Sequence, residues 1–200
     1  MNKIFPLLFF VLFVLVGCDS TPRLKPLPEA AVVLAFGDSL TYGTGAEEGE
    51  SYPEVLERLI GNRVINAGVP GELTSDGVQR LPGVLAEVRP DLVILCHGGN
   101  DILQRRGAEE LEANIRKMVE LSLQSGAQVL LIGVPQPSMV LRTIPLYVRT
   151  SWDMKVPLEE HLLPDILREN SLKSDTIHPN AAGYAVFAER IAERLRSAKR

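Results

Sequence analysis

Ala31-Val32-Val33-Leu34-Ala35-Phe36-Gly37-Asp38-Ser39-Leu40-Thr41 decides how this chain folds. Residues 31–36 are apolar and uncharged, the pattern of a strand buried on both faces in a parallel sheet. Gly37-Asp38 ends that run, so Ser39 stands where a strand gives way to a turn. In open α/β sheets, ligands bind at that edge. A serine there can meet a substrate, but its hydroxyl is a weak nucleophile until a neighbour activates it.

Outward from this strand, the chain alternates. Pro53 suits the first turn of a helix reaching about Leu59 and stopping near Gly61. A second strand is read over Arg63–Asn66. A helix over Asp76–Arg89 turns Val78, Leu81, Leu85 and Val88 to one face, with Pro82-Gly83 expected to kink or interrupt it. Asp91–Cys96 is a third strand. The helix Ala108–Leu123 carries Leu111, Ile115, Met118 and Val119, and Ala127–Ile132 is a fourth strand. The pattern then weakens. A short helix is expected over Ile144–Asp153, a fifth strand over Lys155–Leu158, and a helix over Glu159–Arg168 interrupted at Pro164. Asn180 can cap a last helix lined by Tyr184, Phe187, Ile191 and Leu195. Such alternation implies an α/β fold, a parallel sheet with helices on both sides.

Two hundred residues with 46% hydrophobic content suit one domain with a single core. The formal net charge of −4 argues against a nucleic-acid surface, and the near balance of acids and bases argues against a disordered acidic chain. Of the two cysteines, Cys96 lies inside an apolar strand and reads as a buried thiol. Three scattered histidines without a cysteine pair offer no metal site, and no cofactor is expected. Gly43-x-Gly45-x-x-Glu48 lacks the third glycine of a dinucleotide loop, and no Walker lysine follows. Thr41 replaces the second glycine of a Gly-x-Ser-x-Gly elbow, which argues against the α/β-hydrolase fold.

The start of the chain has a different logic. Lys3 followed by the apolar run 4–16 is too short to span a bilayer comfortably and fits a secretory signal. Leu15-Val16-Gly17-Cys18 resembles a bacterial lipobox. That resemblance implies cleavage before Cys18, lipidation of its thiol and a membrane-anchored protein of the cell envelope. Residues 1–17 are then a lipoprotein signal peptide, and residues 18–30 a proline-bearing tether. Residues 31–200 form the domain, which is expected to be a monomer.

Activation of Ser39 needs a base and a group that orients it. In Asp175-Thr176-Ile177-His178-Pro179, the carboxylate can turn back onto the imidazole within one turn of chain. Acyl transfer also needs hydrogen-bond donors for a developing oxyanion. The candidates are the Ser39 N–H, a glycine N–H in Gly68-Val69-Pro70-Gly71, and the Asn100 side chain in Gly98-Gly99-Asn100-Asp101. Asn100 can alternatively cap a helix starting near Asp101. Asp38 and Asp101 read as structural acids, His97 as packed beneath the site and His161 as exposed.

Gly37-Asp38-Ser39-Leu40, Gly71, Gly98-Gly99-Asn100-Asp101 and Asp175-x-x-His178, in this order and spacing, resemble the SGNH (GDSL-type) hydrolases. The likeness runs from about Val32 to the last helix. It is nearest to the bacterial arylesterase, acyl-CoA thioesterase and lysophospholipase branch, to which Leu81-Pro82 and Ile177–Ala181 are also similar. It implies a three-layer α/β/α sandwich on a flavodoxin-like five-stranded parallel sheet. It further implies a Ser39–His178–Asp175 triad and an oxyanion hole of Ser39, Gly71 and Asn100, with Gly71 preferred to Gly68 on family spacing. Aryl esters, acyl-CoA-like thioesters or lysophospholipids are the implied substrates; the alternatives are a carbohydrate or peptidoglycan O-acetyl esterase and a non-catalytic envelope lipoprotein that uses the fold as a binding module. Residues 136–169 match no single branch, and in this family the corresponding region helps shape the acyl pocket.

Overall fold

The computed structural model describes residues 22–198. Five strands, β1 (Val32–Gly37), β2 (Arg63–Gly68), β3 (Leu92–Cys96), β4 (Gln128–Ile132) and β5 (Leu158–Glu159), form one sheet. Their order is β2-β1-β3-β4-β5 and every pairing is parallel. This is the flavodoxin-like order. The register sets Gly37 beside both Gly68 and Cys96, so the three loops that follow these strands open on one edge. The chain reverses its direction of winding between β1 and β3, and the crevice at such a reversal is where open sheets bind ligands.

Among the described residues, eight α-helices surround the sheet: α1 (Ser39–Tyr42), α2 (Tyr52–Ile60), α3 (Thr74–Val88), α4 (Gly99–Leu103), α5 (Ala108–Gln124), α6 (Pro145–Met154), α7 (Leu162–Arg168) and α8 (Ala181–Ser197). α2 packs on α8, and α7 also lies against α8. α3 packs on α5, and α5 on α6. The central strands β1 and β3 are buried almost throughout, and Val33, Phe36 and Ile94 are fully sealed from water. Burying side chains of that size stabilises by roughly 1.5–3 kcal/mol each. The inward faces of α5 and α8 are the ones their spacing predicts, and Phe187 of α8 stacks on Tyr52 of α2 with ring centroids 4.2 Å apart.

Four expectations need correction. α3 runs unbroken past Pro82-Gly83. Both residues face water, while Gly77, Leu81 and Leu85 hold the opposite face against the core, so the lost hydrogen bond falls where solvent replaces it. The fifth strand is Leu158–Glu159 rather than 155–158, because Lys155 is taken up as the left-handed cap of α6. Pro164 does not interrupt a helix. α7 begins at Leu162, which puts the proline in the first turn, where its missing N–H is not needed. The segment read as a tether is docked from Leu24 onward. Leu24 is buried, the Lys25 N–H donates to the Gln128 side chain at 2.6 Å, and the Asn62 amide donates to the carbonyls of Pro28, Glu29 and Ala31. The signal segment and Cys18 lie outside the described residues.

Candidate active site

Ser39 is the first residue of α1. Asp38 caps that helix, accepting from the Leu40 N–H at 3.1 Å with one oxygen and from the Gly99 N–H at 3.2 Å with the other. Asp38 thereby ties the loop after β1 to the loop after β3. Burial pushes its carboxyl above the usual range, against the opposing pull of the two amides. The structural reading of this acid matches its surroundings.

Ser39 Oγ lies 3.0 Å from His178 Nε2, across 139 residues of sequence. His178 Nδ1 lies 2.7 Å from Asp175 Oδ2. The other Asp175 oxygen accepts from the N–H groups of Ile177 and His178, each at 2.8 Å, which fixes the short loop. Burial works upward on the Asp175 pKa. The hydrogen bonds from His178 and the two amides outweigh it and hold the carboxyl below its ordinary value. An ionised Asp175 accepts only, so Nδ1 carries the proton and Nε2 is free to receive one. The loop is pinned at its far end: Ser174 N–H donates to the His178 carbonyl at 3.0 Å, and Asn180 Oδ1 caps α8 through the Gly183 N–H at 3.0 Å.

Asn100 is the second residue of α4, and Gly98 occupies the cap position, so the capping alternative is not what the fold uses. Its Nδ2 donates to the main-chain carbonyl of Glu72 at 3.0 Å. An amide has two N–H groups, and one remains for a ligand. Gly71 turns through a φ of 80°, a region that favours glycine. Among the described residues, the N–H groups of Ser39 and Gly71 donate to no other protein group.

A cleft opens beside Ser39, Asn100 and His178. The rest of its wall is mainly apolar: Leu103 at the end of α4, Val134, Pro135, Pro137 and Leu141 after β4, Leu167 of α7 and Ile177. Gly71 is not part of this lining; its neighbour Glu72 is held to Asn100. Pro137 and Leu141 belong to the 136–169 segment that the family resemblance assigns to the acyl pocket, whereas Val134 and Pro135 lie just before it and carry no motif.

A second set of residues escaped the sequence reading. Glu72 is 8% exposed, and its carboxylate accepts from Arg80 Nε and Nη2, each at 2.7 Å. It also lies 3.0 Å from Nε2 of the fully buried His97. The Arg80 guanidinium sits 4.1 Å from the centre of the Phe36 ring. The one available signal was a histidine at the end of an apolar strand, which requires a buried polar partner. His161, by contrast, is exposed and apart from the site. Among the described residues, no cluster of His, Cys, Asp and Glu is placed to hold a metal ion.

A serine hydroxyl bonded to an imidazole, itself bonded to a carboxylate, at the ligand-binding edge of a doubly wound sheet defines a serine hydrolase. The family model described as "GDSL-like Lipase/Acylhydrolase family" matches residues 35–186, and the chain belongs to that family. It is 28% identical over 186 residues to esterase TesA of Pseudomonas aeruginosa, covering 88% of this chain and 92% of that protein. It is 26% identical over 174 residues to thioesterase 1/protease 1/lysophospholipase L1 of Escherichia coli, covering 83% and 84%. A crystal structure of TesA superposes with a TM-score of 0.75 at 26% identity, covering 84% of this chain and 99% of that one. The chain is an esterase of the serine hydrolase type.

Proposed function

We propose that the chain hydrolyses acyl esters and thioesters with medium to long apolar acyl groups, using Ser39 as nucleophile, as a lipoprotein anchored through Cys18 in a bacterial cell envelope. His178 Nε2 takes the Ser39 proton as Oγ attacks the carbonyl carbon. The Ser39 and Gly71 N–H groups and Asn100 Nδ2 donate to the oxyanion as it forms. Collapse of the tetrahedral intermediate expels the alcohol or thiol, protonated by His178, and leaves an acyl-serine. Water, deprotonated by His178, then repeats the attack and frees the acid. Asp175 holds the imidazole tautomer and offsets its transient positive charge.

The observation that carries this reading is the Ser39–His178–Asp175 relay beside an apolar wall. Aryl esters, acyl-CoA-like thioesters and lysophospholipids share that chemistry, and the names of the relatives above span an esterase and a thioesterase/lysophospholipase. The anchor is supported by Gly17-Cys18 after an apolar run with a basic start.

A serine-directed organophosphonate should label the chain once, at Ser39 by peptide mass spectrometry, and Ser39→Ala should take no label. With p-nitrophenyl esters, kcat/KM should rise from acetyl to about eight carbons, because each buried CH₂ contributes up to about 0.8 kcal/mol. Activity confined to acetyl would instead indicate an O-acetyl esterase. Labelling that persists without Ser39 would reassign the nucleophile.

A further inference from the structure

We propose that His97 and Glu72 are positioning residues, a clamp that sets the Gly71 and Asn100 donors at a fixed separation. The proposal rests on the esterase reading of Ser39 and adds a function to two buried side chains outside the triad. His97 immediately precedes the Gly98-Gly99-Asn100 loop, and Glu72 immediately follows Gly71. Their side chains meet at 3.0 Å between His97 Nε2 and Glu72 Oε2.

The direction of each bond is determined by the others. His97 Nδ1 accepts the Gly98 N–H at 2.9 Å, so this nitrogen carries no proton. Nε2 of the neutral ring therefore carries it and donates to Glu72. Glu72 also accepts through its main-chain carbonyl from Asn100 Nδ2 at 3.0 Å. One residue is thus bound twice by the loop after β3, once by the ring that begins that loop and once by its proposed oxyanion donor. Asp101 adds a third tie, accepting from the Thr74 N–H at 3.0 Å and from its hydroxyl at 2.6 Å.

The surroundings are built to seat the ring. α3 passes so close that a Cβ on Gly77 would stand 2.6 Å from His97 Nε2, which only a missing side chain permits. The Tyr147 hydroxyl donates to the His97 carbonyl at 2.7 Å, and Arg80 balances the Glu72 charge from the other side. An ion pair serving the core alone would need Arg80 but not His97. The histidine couples this pair to the loop that carries Asn100. A donor displaced by about 1 Å can lose about 100-fold in rate, so the separation of the two donors matters to the transition state more than to the bound ester.

The test is a double-mutant cycle in the full chain, read by steady-state hydrolysis of a p-nitrophenyl ester at one near-neutral pH. His97→Leu should lower kcat about tenfold or more with KM within about twofold. His97→Gln, whose amide can both donate to Glu72 and accept from Gly98, should recover most of that loss. In an Asn100→Ala background, His97→Leu should cost less than about threefold further, because the donor it positions is gone. Equal losses in the two backgrounds, or an unchanged kcat, overturn the clamp. If thermal melts show that His97→Leu does not fold, His97→Phe, which keeps a ring in the same seat but can neither donate to Glu72 nor accept from Gly98, is run through the same cycle against the same expectations. A parent chain without activity sinks the Ser39 reading and the clamp with it, whereas an active parent with a neutral clamp variant sinks the clamp alone.

Discussion

Asn100 joins two loops and is proposed to meet the substrate oxygen, so its substitution separates stability from catalysis. Asn100→Ala deletes one oxyanion donor, an effect worth about 3 kcal/mol of barrier, and kcat should fall about two orders of magnitude. The thermal midpoint should move little by comparison, which circular dichroism checks. Glu72 has the reverse profile with respect to pH. Burial raises its pKa, but the hydrogen bonds from Arg80 and His97 and the Arg80 charge outweigh burial and hold it below the ordinary 4.5. A depressed carboxyl pKa contributes stability that is complete above the ordinary value and lost as pH falls through the folded one. Urea melts should therefore show Glu72→Gln less stable than the parent by about 2–3 kcal/mol at pH 7, near the low end for a broken buried pair because Arg80 still touches water. That gap should shrink steadily below pH 4.5, where the parent's own carboxyl takes up a proton.

At the level of elements, α3 carries the least expected feature. It holds Pro82 and Gly83 in its interior and stays continuous. Its stability comes from the packed stripe and not from propensity, as is usual for helices in folded proteins. Gly83 is exposed, and a Cβ added there meets nothing within 4 Å. Gly83→Ala should accordingly stabilise the protein by about 0.5–1 kcal/mol in urea melts with activity unchanged. A destabilised variant would mean that α3 needs slack at this point. The strands, the amphipathic α5 and α8 and the Asn180 cap were legible in the residues because each depends on side chains within a turn or two of one another. The bounds of β5 and α7 were not, since Lys155 and Pro164 have two admissible local roles each and only packing chooses between them.

For the molecule as a whole, the folded unit begins earlier than its apolar first strand suggests. Residues 24–31 run from a contact of Lys25 with Gln128 at the start of β4 to the start of β1. Leu24 is 7% exposed and belongs to the main core. Leu24→Ala should cost about 2 kcal/mol or more, measured by urea denaturation, because a buried leucine is replaced by a cavity. No loss would mean that this arm is only laid on the surface. The arm docks at the edge where β1 and β4 begin, and the Ser39 cleft lies at the edge where β1 and β3 end.

The residues alone determined the alternation of strands and helices, the burial of residues 31–36 and the places where Ser39, Asn100 and His178 interrupt those elements. Each of these follows from backbone preference and from the periodicity of apolar side chains, which are local properties. Tertiary structure decided which interruptions meet. The strand order β2-β1-β3 brings the loops after β1 and β3 to one crevice, and the packing of α8 returns a histidine 139 residues distant to the serine. It also decided which residues between 134 and 141 reach the cleft, and the contact of Glu72 with His97, because burial is a property of the assembled core and leaves no mark on neighbouring residues in the chain.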